Sequence, residues 1–198
     1  MGYGILLLGY ITTVTAYAGW MSAIPVVGAV LCCIGLWKTG RFEKYFRYAF
    51  PLAAVLGLLA VFDFTLNMKW AGRIFPNADT LTQIYEIVHL IVYLIFNFFI
   101  LMGIMRQAII CKLPSIGKHA RFALMLLLAD FLMEMAGLII PSVVSKLYSQ
   151  INFIIGIAFY LLTLAAIFRC FNRMQLGEDP PPPPAKPPKQ KKNESKQK

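Results

Sequence analysis

The 198-residue chain alternates long apolar runs with short basic segments. Six runs stand out, at about 3–20, 23–37, 48–67, 83–105, 122–140 and 147–168. At 1.5 Å per residue, the last four are each long enough to cross roughly 30 Å of hydrocarbon as a helix. The first two are less regular. Residues 3–37 carry no charge, and Trp20, Ser22 and Pro25 mark the one break between them. Trp favours the headgroup level and Pro the first turn of a helix, so the pattern predicts a hairpin turning near 20–25. Its second arm reaches only about 22 Å. It is therefore tilted, set in thinned lipid or re-entrant, unless 3–37 crosses once. Gly4, Gly9, Gly19, Gly28 and Gly35 offer close helix contacts without G-x-x-x-G spacing.

The predicted fold is an all-α, six-helix transmembrane bundle over 1–177, or five helices if 3–37 is one span. Residues 178–198 follow as a tail. That tail holds a proline run and then lysines, with almost nothing apolar to bury. It predicts a polyproline II stub, then disorder, with its lysines drawn to anionic headgroups.

Composition closes off other classes. With 59% apolar and 14% charged residues and a mean hydropathy of +0.66, the chain is neither a water-soluble globular enzyme nor disordered throughout. The net charge of +10 could suggest nucleic acid, but the basic residues sit in alternate connections. The segments 38–47, 106–121 and 169–198 hold 16 Lys and Arg, against 3 in the other connections. By the positive-inside rule those segments face the cytoplasm, as do both termini. The expectation is a multi-pass plasma-membrane protein whose partners are the bilayer and its anionic cytoplasmic headgroups, with no nucleic acid. The N-terminus lacks the basic stretch of a cleaved signal peptide, so its run reads as retained helix.

Cys32, Cys33, Cys111 and Cys170 have neither C-x-x-C nor zinc spacing. They read as two buried small hydrophobes and two reduced thiols at the cytoplasmic edge. Within 41–49, Phe42, Tyr45, Phe46 and Ala49 share one helical face, and Glu43 can pair with Arg47 at i, i+4. This predicts a cytoplasmic extension of the third span lying in the headgroups.

The residues that could carry chemistry are the polar ones inside the spans. Glu86, His89, Tyr93 and Asn97 form one stripe on the fourth run, because their spacing keeps them within an arc of about 80°. Asp130 and Glu134 share a face of the fifth run, and Asp63 and Asn67 a face of the third. A charge at mid-bilayer costs roughly 2.5–3.5 kcal/mol, so such groups turn toward protein or water. If the three faces meet, Asp63, Glu86, His89, Tyr93, Asn97, Asp130 and Glu134 form a polar track from the outer surface into the bilayer. No basic residue lies in the core of a span to neutralise the acids.

Two readings stay open. In the first, the protein has no catalytic apparatus and acts through helix or lipid interactions, with the acids protonated and hydrogen-bonded across helices. In the second, it is a small proton- or cation-coupled transporter or channel subunit, since an imidazole between carboxyls can relay protons. A metal site is disfavoured, because Glu86-x-x-His89 occurs once where a di-iron bundle uses two copies. No hydrolase or nucleotide-binding motif is present, so no enzyme activity and no cofactor are expected. No motif is specific enough to transfer an activity from a known family.

Overall fold

The computed structural model describes residues 2–14, 24–66, 78–140, 142 and 144–174. These form six helices: α1 (Gly2–Val14), α2 (Ile24–Thr39), α3 (Lys44–Leu66), α4 (Ala78–Ile110), α5 (Pro114–Ile139) and α6 (Lys146–Met174). The fold is all-α, with no strand among the described residues. Four helices, α3 to α6, are long and apolar enough to cross a membrane, while α1 and α2 are shorter apolar helices of 13 and 16 residues. The turn near Trp20, residue Asn67 and the 178–198 tail lie outside the described residues.

Large apolar side chains stand on the outside. Leu58, Ile109 and Leu132 are 70%, 75% and 65% exposed, which water would penalise and lipid does not. Neighbouring helices in the chain pack against one another, and α6 closes the ring against α1 while also touching α4. α1 and α2 make the tightest pair, because glycine lets their backbones meet. A Cβ on Gly9 would stand 2.5 Å from the Cys32 nitrogen, and one on Gly35 would stand 2.6 Å from the Leu6 nitrogen. The expected hairpin contacts are therefore present at Gly9, Gly28 and Gly35, through close backbone approach rather than a G-x-x-x-G seam.

At the basic end the helices run past the apolar runs. α4 continues through Arg106 and Gln107, and α5 begins eight residues before the apolar run at 122. The turn between them is a Schellman stop: Leu113 N–H reaches Ala108 O, Lys112 N–H reaches Ile109 O, and Lys112 takes a left-handed φ of 54°. Pro114 then opens α5.

The segment 41–49 differs from the expected headgroup helix. Phe46 and Ala49 are fully buried in the bundle core. Phe46 fills a socket between Tyr3, edge-on at 5.7 Å, and Gly103, whose missing side chain admits the ring. Glu43 pairs with Arg106 at 3.8 Å rather than with Arg47. The guanidinium also lies 5.9 Å over the Tyr45 ring, so the end of α4 anchors the α2–α3 connection.

Candidate functional site: an acid-lined cavity between the helices

In the half of the bundle away from the basic end, the helices enclose a cavity of about 910 Å³. Its wall takes Pro25, Ala29 and Cys32 from α2, and Ala53, Leu56, Ala60 and Asp63 from α3. α4 contributes Tyr85, Glu86, His89, Leu90, Tyr93 and Phe96. α5 contributes Asp130, Met133 and Glu134, and α6 contributes Tyr148, Ser149, Asn152, Gly156 and Tyr160. Glu86 to Phe96 is ten residues of α4, so the cavity runs about 15 Å along the helix axis.

Six of the seven residues of the expected track line this one space: Asp63, Glu86, His89, Tyr93, Asp130 and Glu134. Asp63 is close enough to His89 for their charges to interact. Glu134 stands within the same range of Glu86 and of Asp130. Asn152 faces Glu134 across the α5–α6 interface. Gly156 makes room for Asp130: a Cβ there would touch the carboxylate oxygen at 3.1 Å.

Asn97 departs from the track. It is fully buried and does not line the cavity. Its Oδ1 accepts from the Tyr10 hydroxyl at 2.7 Å, and its Nδ2 donates to the Tyr93 carbonyl at 2.9 Å. Tyr10 also reaches Thr163 and Tyr93 and stacks on Tyr160 at 5.6 Å. These side chains make a polar knot beneath the cavity. Beyond it the core is apolar, with Ile100, Leu101, Ile104 and Ala108 of α4 all buried. The helical stripe keeps its face, but α1 brings Tyr10 across it and ends the open space above Asn97.

Several cavity residues carry a signal that the acid-centred reading passed over. Tyr148, Gly156 and Tyr160 fall on a four-residue repeat of α6 with Asn152, itself an expected partner of the acids, and line one wall. The Tyr148 hydroxyl donates to the Met133 carbonyl and ties α6 to α5. Tyr85 stands four residues before His89, and the rings of Tyr85, His89 and Tyr93 stack in a column at 5.7 and 6.1 Å. Among the described residues, no three His, Cys, Asp or Glu side chains are placed to hold a metal ion together.

No protein family, curated protein or solved structure matches the chain.

Proposed function

We propose that this membrane protein is a small proton- or cation-coupled carrier of the plasma membrane, acting without catalysis. The observation that carries this reading is the convergence of four intramembrane carboxyls and an imidazole on one cavity. Ionisable side chains in membrane helices are costly and turn toward functional water or ligand. The apolar layer below the Tyr10–Asn97 knot favours a carrier open to one side at a time over a continuous pore.

The orientation follows the basic residues. Arg41, Arg106 and Arg169 lie at the end where the chain enters α1 and leaves α6. That end is cytoplasmic in this reading, with both termini inside and its basic side chains on anionic headgroups. The cavity then faces the opposite, outer half of the bilayer.

A second reading has one observation in its favour. The buried knot and the glycine-packed α1–α2 hairpin are what a rigid scaffold acting through helix or lipid contacts requires. Purified protein in vesicles containing a pH dye, challenged with a panel of solutes, separates the two. The carrier reading expects solute-driven proton or cation flux that Glu134→Gln abolishes while folding is kept, because Gln cannot titrate. No flux from the wild-type protein across the panel returns the reading to the scaffold.

A further inference from the structure

The cavity wall restricts what the cavity can hold. Asp63, Glu86, Asp130 and Glu134 line it, and no Lys or Arg is among the described lining residues. An anion would be buried there without a counter-charge. A bare metal ion fits poorly for another reason: no three potential ligands among the described residues are placed to hold one. The carboxyls instead stand around a space of about 910 Å³, the size that takes a drug-sized organic molecule.

Between the acids the wall is aromatic and apolar. The Tyr85–His89–Tyr93 column lies on α4, and aromatic faces attract cations. Leu56, Met133 and Ile157 add hydrocarbon surface. A neutral lipid tail would match that surface but would leave the carboxyls facing hydrocarbon. Asn152 points the same way. It faces Glu134, yet its Oδ1 is out of solvent with no hydrogen-bond partner. An N–H donor arriving beside Glu134 would satisfy it.

We propose that the cavity is the binding site of an amphipathic organic cation, its charged head among the carboxyls and its apolar body against the Tyr85–Tyr93 column and the α3 and α6 walls. Only the transport of that cation rests on the carrier reading; the site itself rests on the wall chemistry.

The probe is 4-phenylbutylammonium, whose N–H donors and charge sit at one end of an apolar body, with 4-phenylbutanol as the uncharged control. Binding to the full chain in a non-ionic detergent is followed by titration calorimetry against protein-free micelles. The expected result is saturable binding of the cation, none of the neutral compound, and affinity about ten-fold weaker in Glu134→Gln and in Asp130→Asn, as loss of one nearby opposite charge implies. Lys118→Gln, on the exposed side of α5 at the basic end, leaves binding unchanged. The charge contrast is read on the wild-type chain, so it stands whether or not an acid variant folds. Equal binding of the neutral compound, no saturable binding of the cation, or full affinity in both folded acid variants overturns the proposal. Saturable cation binding without flux in vesicles upholds the site and removes only the carrier role. Proton flux without cation binding keeps the carrier and overturns the site.

Discussion

Replacing Tyr10 by Phe removes one oxygen and leaves the ring stacked on Tyr160. That oxygen donates to Asn97 Oδ1 at 2.7 Å, between side chains that are 1% and 0% exposed. Baring a buried acceptor costs about 1–3 kcal/mol in water-soluble proteins. In membrane bundles such interhelical bonds average about 0.6 and reach about 1.7 kcal/mol, because the unfolded chain in lipid also finds partners. Asn97 keeps its own bond to the Tyr93 carbonyl, so only one side of its amide is bared. The expected loss is therefore about 1–1.5 kcal/mol, roughly a ten-fold shift in the unfolding equilibrium. The assay is reversible unfolding in mixed micelles for wild type, Tyr10→Phe, Asn97→Leu and the double variant. A coupling energy of about 1 kcal/mol is expected, since each single change removes the same bond. Additivity to within about 0.3 kcal/mol would refute the claim that this bond joins α1 to α4.

Other outcomes follow from the same geometry. Gly9→Ala places a methyl 2.5 Å from the Cys32 backbone nitrogen, so the α1–α2 hairpin must part. Its thermal midpoint should fall by the equivalent of about 1–3 kcal/mol, whereas Gly117→Ala, whose Cβ would meet only the Ala108 methyl at 3.7 Å, should fall far less. Lys112→Gly relieves a left-handed φ of 54° and should raise stability by about 1 kcal/mol, read in the same unfolding assay. An impermeant thiol reagent should spare partly exposed Cys111 in intact cells and modify it in inverted vesicles, while fully buried Cys170 reacts from neither side. Labelling of Cys111 in intact cells would reverse the orientation.

Hydrophobic run length made the four long helices legible, because a lipid-facing backbone has few alternatives to a helix. It did not mark their ends. Arg106, Gln107, Lys118 and His119 are polar yet helix-compatible, so α4 and α5 continue until the turn at Cys111–Leu113. Nor could it tell Phe46 in the core from Phe42 at 56% exposure, since their faces are sorted by Tyr3 and Gly103 from helices distant in sequence. For the cavity, the 3.6-residue period on α4 gave the face of Glu86, His89 and Tyr93. It could not show that Tyr10 of α1, distant in sequence, crosses the stripe and leaves Asn97 on the same face but beneath the floor. The α6 wall was written as Tyr148, Asn152, Gly156 and Tyr160, a pattern without charge that attracts little notice among apolar neighbours.

If the carboxyls stand around a water-filled space inside the membrane, two positions on α3 tell its wall from the lipid-facing surface. Ala60 lines the cavity, while Leu58, two residues earlier, is 70% exposed on the outer surface of the bundle. In a chain whose four cysteines are replaced, Ala60→Cys and Leu58→Cys are each treated in membranes with a charged methanethiosulfonate, which needs water to ionise the thiol. Such a wall predicts rapid modification of Ala60→Cys, slowed by 4-phenylbutylammonium, and none of Leu58→Cys. An inert Ala60→Cys, or equal reactivity at both positions, would contradict it.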